Sequence, residues 1–362
     1  MAHSPQRILL INPFGIGDVL FTTPLIRNLK QNFPDSFIGY LANTRTAPML
    51  KAHPLIDRVM VYDRDDFVAV YRQSRIQFLQ KWQGLLRTIK ADRYDMVIDL
   101  SLNSGMNFLT ALAGIQKRIG FNYKNRSWFL TKKISLKGYE ARHVVEYYLD
   151  LLRPLGLQVE LSPLELHIPD PEQKWARTYL VEQGIAEKER VIALVPGGGA
   201  SWGKDALYKR WGAPKFAALA DKIIANYGGK VILLGDSKEV ALCEEVASLM
   251  QNSVILVCGK TSILQSAALL KNCKLAIVND GGPLHMAVAV GIKTVSIFGP
   301  VDDRVYGPYD PFNVGNHRVA TYPVACRPCY RNFRRAACDH ISCLTRLSVD
   351  DVYKQVKEIF HG

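Results

Sequence analysis

Short apolar runs alternate along the whole chain with stretches in which apolar residues recur at helical spacing. The runs Arg7–Asn12, Phe37–Leu41, Val59–Tyr62 and Met96–Leu100 have strand length, and their near-continuous apolar character fits strands buried on both faces. A helix is expected after the first run, entered through Thr22, Thr23 and Pro24, and another over Tyr147–Leu155. Prolines at 163, 169 and 171 mark residues 161–171 as a linker. The alternation then starts again. Strands are predicted at Val191–Val195, Lys230–Leu234, Val254–Val257, Leu275–Val278 and Thr294–Phe298, with helices over Phe216–Tyr227, Val240–Met250 and Ser262–Leu270. Ser348 with Asp351 resembles a capping box opening a last helix through Phe360. Strands separated by helices predict right-handed βαβ units and parallel sheets. With 362 residues the chain exceeds one comfortable core. The expected organisation is two Rossmann-like α/β domains, residues 1–165 and 166–346, with a helix over 347–362 packing back toward the first.

Composition narrows this picture. Hydrophobic content of 48% with 22% charged residues is that of a soluble globular protein, and the apolar runs are of strand length. The polar start leads straight into a strand, so a cytoplasmic protein without a secretory leader is expected. A net charge of +13 calls for an anionic partner. Lys117, Arg118, Lys124, Arg126, Lys132, Lys133, Lys137 and Arg142 crowd a segment whose only acid is Glu140, interleaved with Phe121, Tyr123, Trp128, Phe129 and Tyr139. Such a segment is either a solvated face or a surface for phosphorylated ligands. No zinc finger, recognition helix or aromatic RNA-binding signature accompanies it, so nucleic acid is not the expected partner.

The chemistry gathers at strand ends. Leu275–Val278 runs into Asn279-Asp280-Gly281-Gly282-Pro283 and then small apolar residues at helical spacing. Glycines there let a diphosphate approach backbone N–H groups at a helix N-terminus, with Asp280 and His285 flanking it. An ordinary βα turn with His285 packed in its helix fits the stretch equally well. Gly15-Ile16-Gly17-Asp18 lacks the third glycine of the nicotinamide fingerprint, because Leu20 stands there. Asp18 is either a general base at the mouth of the sheet or a helix cap. Pro196-Gly197-Gly198-Gly199 offers N–H groups to phosphate but is not a P-loop, and Lys209 and Arg210 beside Trp211 supply counter-charge. Glu239 or Asp236 in the Gly235–Glu239 turn could accept from ribose hydroxyls. Cys326, Cys329, Cys338 and Cys343, spaced C-x2-C-x8-C-x4-C, could close a thiolate site for zinc, or the arginines among them could serve an anionic ligand.

Asn12–Leu25, the Pro196–Gly199 turn with Lys209-Arg210-Trp211, and Asn279–Ala287 with Phe298-Gly299-Pro300 together resemble the heptosyltransferases that build the inner core of bacterial lipopolysaccharide, glycosyltransferase family 9. The motifs span nearly the whole chain in the family's order. The resemblance implies a GT-B fold, two facing Rossmann-like domains with a deep cleft. It also implies inverting, metal-independent transfer of heptose from ADP-L-glycero-D-manno-heptose to a phosphorylated, lipid-linked acceptor at the inner face of the cytoplasmic membrane, without a cofactor. By position, Asp18 matches the catalytic base, Lys209 the phosphate-binding lysine, and Asp280, Gly281, Gly282 and His285 the donor corner. Gly17, Gly197, Gly198, Gly199, Arg210 and Glu239 complete the expected donor site. Gly281 departs from the family's frequent Thr or Ser, so a hydroxyl contact to phosphate is missing at that position. Similar cysteines recur in the family without any metal that its mechanism needs. Another sugar donor, or an epimerase or oxidoreductase on a similar fold, is the alternative.

Overall fold

The structure is a computed structural model that describes residues 6–186, 188–198 and 202–361. The chain divides into two compact units, one of residues 1–139 with 144–162, the other of 140–143 with 163–362. The first contains β1 (Arg7–Ile11), α1 (Ile16–Leu20), α2 (Thr23–Asn32), β2 (Phe37–Ala42), α3 (Ala47–Lys51), β3 (Arg58–Val61), α4 (Arg64–Gln73), α5 (Arg75–Ala91), β4 (Met96–Asp99), α6 (Ser104–Leu112), β5 (Lys117–Tyr123), β6 (Lys132–Leu136) and α7 (Val144–Asp150). Its six strands pair in parallel in the order β3-β2-β1-β4-β5-β6. Ile8 to Ile11 of β1 have no exposed surface, which is why that strand reads as an unbroken apolar run.

The second unit holds α8 (Asp170–Glu182), β7 (Val191–Val195), α9 (Ala213–Tyr227), β8 (Lys230–Leu233), α10 (Val240–Leu249), β9 (Val254–Leu256), α11 (Ile263–Lys271), β10 (Leu275–Asn279), α12 (Gly282–Ala289), β11 (Lys293–Ile297), α13 (Asp303–Tyr306), β12 (His317–Ala320), a hairpin of β13 (Tyr330–Arg331) and β14 (Arg334–Arg335), α14 (Ser342–Thr345) and α15 (Val349–His361). Its parallel sheet runs β12-β11-β10-β7-β8-β9. Counted from its own first strand, this is the same doubly wound order as in the first unit. In each sheet the order reverses between the first and fourth strands, β1 with β4 and β7 with β10. The crevice beyond those strand ends is where doubly wound folds bind ligands.

Several elements differ from the sequence expectation. Thr22 does not cap the helix it enters; its hydroxyl donates to Val19 O at 2.6 Å and lies 3.0 Å from the Tyr40 hydroxyl. Asp18 consequently sits in a short helix of its own. The basic, aromatic segment after Lys117 contains two strands, β5 and β6. Ile119, Gly120 and Phe121 are buried there, while the cations lie toward the ends and outer side. Gly120 is required for close approach, since a Cβ would sit 3.0 Å from the Leu130 side chain and collide with the Asp99 carbonyl.

Within residues 347–362 the expected helix forms, and it belongs to the second unit. Val352, Tyr353, Val356 and Ile359 of α15 are buried in the second unit's own core, against α9 and the β11–β12 edge. Their spacing gives the helix one apolar stripe, and the sheet to which it is covalently nearest covers that stripe. The capping box at its start is present: Ser348 Oγ accepts from Asp351 N at 3.1 Å and Ser348 N donates to Asp351 Oδ2 at 2.9 Å.

Candidate functional site

At the reversal point of the second unit, the β7 and β10 strand ends are clasped by Asn279. Its fully buried amide donates to Pro196 O at 2.6 Å and accepts from Trp211 N at 3.3 Å. One side chain thus fixes the glycine turn after β7, the end of β10 and the segment carrying Lys209 and Arg210. The two glycine turns are in backbone contact. A Cβ on Gly281 would collide with the Gly198 carbonyl oxygen, and Gly198 has φ +77 with the Asp280 carbonyl and Asn279 Cβ alongside. Gly281 is extended at φ 163, so space rather than backbone strain excludes a side chain there.

Lys209 ends a 3-10 turn over Gly203–Lys209, and its ammonium lies 2.8 Å from Asp280 Oδ2. Both side chains are nearly buried, at 10% and 4% exposure. The approach is off-axis, so this is a charge contact rather than an aligned hydrogen bond, and the same ammonium stands 4.3 Å from the centroid of the Trp202 ring. Arg210 Nε donates to Gly197 O at 3.2 Å. Glu239 is buried with its carboxylate against Gly197, where a Cβ would collide with it, and its Oε2 accepts from Asp236 N at 3.0 Å. Glu239 therefore braces the turn from behind. His285, in α12, is buried; burial first, then the charges of His143 and Lys209, push its imidazole well below the ordinary range. It is neutral at pH 7 and acts as a hydrogen-bonding group without charge. Gly282 opens α12, and Gly199 lies outside the described residues.

The corresponding corner of the first unit carries Asp18, half-buried, with Gly17 preceding it in α1. Asp18 Oδ2 accepts from Gly15 N at 3.2 Å, so the capping interaction is real. The charge of Asp18 is felt by the buried Tyr40 and Tyr148 hydroxyls, whose titration is pushed up mainly by burial. Asn12 Nδ2 donates to Asp18 O at 3.0 Å, and Asn43 Nδ2 to Pro13 O at 3.1 Å, anchoring the turn on the sheet. Asp99, across the reversal point, accepts from Ser101 N at 2.8 Å and Asn107 Nδ2 at 2.6 Å; burial raises its carboxyl to about 6.

The four clustered cysteines surround the β13–β14 hairpin. Burial raises the Cys343 thiol to about 11, with the other three close enough to add to the effect. Their sulfurs are nevertheless not gathered into any set of three within 4.8 Å among the described residues. The hairpin itself packs beside the Lys209 turn. Tyr330 lies 4.9 Å from Trp202, and the Arg335 guanidinium stands 3.6 Å over Tyr208. Arg327 ties the preceding loop down, donating to Gly299 O at 2.9 Å and pairing with Asp303 at 2.6 Å. Asn43, Trp202 and Tyr330 had no role in the sequence reading, Arg327 entered it only among the arginines offered to an anionic ligand, and Asn279 appeared there only within a motif. For Asn279 a signal existed, a polar residue closing an apolar strand, which a buried position must satisfy by hydrogen bonds.

Two doubly wound sheets of one strand order, each with a polar corner at its reversal point, are the halves of a GT-B fold. Residues 82–334 match the profile of glycosyltransferase family 9 (heptosyltransferase). Lipopolysaccharide heptosyltransferase 3 of Escherichia coli is 28% identical over 298 residues, covering 81% of this chain and 83% of that protein. Among solved structures, a family 9 glycosyl transferase from Veillonella parvula superposes with a TM-score of 0.80 at 23% identity, covering 99% of this chain and 98% of that one. The E. coli heptosyltransferase WaaC with ADP-2-deoxy-2-fluoro heptose gives 0.71 at 19% identity over 97% and 99%. The chain belongs to glycosyltransferase family 9, the heptosyltransferase family, and is a glycosyltransferase. Asp18 precedes the segment that the family profile covers.

Proposed function

We propose that this glycosyltransferase transfers heptose from ADP-L-glycero-D-manno-heptose to a phosphorylated inner-core acceptor of lipopolysaccharide, with inversion and without a metal, at the inner face of the cytoplasmic membrane. The observation that carries the reading is the corner where Gly198 and Gly281 touch beneath the Lys209–Asp280 pair. Its bare backbone lets a diphosphate approach the start of α12, and the buried lysine supplies the compensating charge. The donor and acceptor are supported by the relatives' names, among them lipopolysaccharide heptosyltransferase 3, and by the ADP-fluoroheptose bound to the E. coli enzyme.

In this mechanism the acceptor hydroxyl attacks the anomeric carbon from the face opposite the diphosphate and gives its proton to Asp18, while the bond from the anomeric carbon to the diphosphate oxygen breaks. Negative charge grows on the leaving diphosphate. Lys209 and the N–H groups of Gly281 and Gly282 then bind the transition state more tightly than the ground state. Neutral His285 orients a hydroxyl group of the donor, and Glu239 holds the Gly197 turn in place. Asp18→Asn tests the assignment, because the amide keeps an acceptor for Gly15 N and removes the basicity. Turnover should fall about a hundredfold or more with ADP affinity nearly unchanged. Near-normal turnover would remove Asp18 from the chemistry. Titrating ADP, UDP and GDP identifies the donor class, and a preference for UDP or GDP would overturn the ADP-heptose assignment.

A further inference from the structure

The first unit displays large apolar side chains on its helical surface. Val68 and Tyr71 on α4, and Ile76 and Leu79 on α5, are exposed, Ile76 at 70% and Leu79 at 58%. In each helix the two are three residues apart and share a face. α5 turns its other side inward, where Phe78, Trp82, Leu85 and Leu86 pack against the core. On α6, which packs against α5, Phe108 and Leu112 are exposed one turn apart; Phe129 from the loop before β6 lies 5.0 Å from Phe108, and neighbouring Trp128 is 80% exposed.

Asp65 and Asp66 are exposed in the first turn of α4, Asp66 pairing with Lys81; beyond them the charge around these residues is positive. No acid occurs from Phe67 to Ala91, where Arg72, Arg75, Arg87 and Lys90 are exposed, nor from Leu100 to Tyr139, where Lys124, Arg126, Lys132, Lys133 and Lys137 are exposed. Apolar residues with an aromatic tip, set among cations that outnumber the two acids at the start of α4, match the boundary of an anionic bilayer, whose headgroups take the lysines and arginines while its acyl region takes the isoleucine and leucine. A second copy seated on this face would bring a mostly cationic surface against itself. A nucleic acid would leave the aliphatic side chains without a partner. We propose that the α4–α5–α6 surface of the first unit, with the loop bearing Trp128 and Phe129, is the face by which the protein docks on an anionic membrane. This rests on the reading of a lipid-linked acceptor and names the surface that reaches it.

The test uses the full chain with vesicles of phosphatidylglycerol and phosphatidylethanolamine against vesicles of phosphatidylcholine, by flotation. The wild type should bind the anionic vesicles at least tenfold more tightly, and that binding should weaken by about tenfold or more between 50 and 300 mM salt, as for charges screened over a Debye length. Ile76→Gln with Leu79→Gln should lower binding by about tenfold or more, the loss expected when two apolar side chains no longer leave water. Transfer to a deacylated, water-soluble acceptor should be unchanged in that variant. Equal binding to neutral vesicles, unchanged binding by the double variant, or a wild-type dimer in sedimentation that the variant dissociates would each overturn the proposal. A wild type inactive on the soluble acceptor would count against the heptosyltransferase reading, while the vesicle comparison would still decide this one.

Discussion

Replacing Lys209 by Met removes the cation from the donor corner and leaves Asp280 behind, and the structure gives a size to both effects. The two side chains are 10% and 4% exposed and 2.8 Å apart, so the aspartate left alone is a carboxylate almost wholly out of water. Removing one partner of such a pair costs about 3–5 kcal/mol, mostly as the penalty of the charge that remains. The lower end applies here, because the lysine keeps some exposure. Lys209→Met should therefore lower unfolding stability by about 3 kcal/mol at neutral pH. Asp280→Asn added to it removes the stranded charge and should recover most of that loss. ADP binding should behave differently: loss of one charge-assisted hydrogen bond to the diphosphate costs about 1.5–3 kcal/mol, and the second substitution should not restore it. Urea unfolding measures the first quantity and calorimetry with ADP the second. Stability within 1 kcal/mol of wild type in Lys209→Met would refute the buried pair. Recovery of ADP affinity in the double variant would show that Lys209 acts only by neutralising Asp280.

Gly281→Ser should fail to add a hydroxyl contact to phosphate, because its Cβ meets the Gly198 carbonyl; stability should fall by about 1–3 kcal/mol and ADP affinity with it, and unchanged calorimetric and unfolding curves would show that the two turns separate freely. Asp99 gives a pH signature. Its folded value near 6 lies above the ordinary 3.8, so the native state holds the proton more tightly and its contribution to stability is present at low pH and lost as pH rises through 6. The shift corresponds to roughly 3 kcal/mol in full, about 2 of it between pH 4.5 and 7.5; Asp99→Asn should gain that much on wild type over this interval, and parallel pH profiles would exclude it. Among the clustered thiols, exposed Cys326 should alkylate first and buried Cys343 last. Four unreactive thiols together with one equivalent of zinc or iron by elemental analysis would instead show a closed tetrathiolate site.

The sequence was most legible where the structure is most repetitive. Strands β1, β7 and β10 are buried on both faces, so each leaves a contiguous apolar run, and a glycine-bearing turn follows each of them. Strands β5, β6 and β12 were missed because they lie toward the edges of their sheets, where lysine, arginine and histidine can occupy positions that still pair.

Sequence by itself therefore determined the doubly wound class and the family resemblance, and it marked Asp18, Lys209, Asp280 and His285 as candidates. Tertiary structure alone decided what those residues touch. Gly198 meets Gly281, Asn279 reaches Pro196 and Trp211, and Lys209 pairs with Asp280 across long sequence separations, because parallel pairing of β7 with β10 brings two distant strand ends into one corner. Periodicity reports which face of an element is buried; it carries no information about which distant element covers that face. The same limit explains α15, whose apolar stripe is plain in the sequence but whose place on the β11–β12 edge is settled by packing.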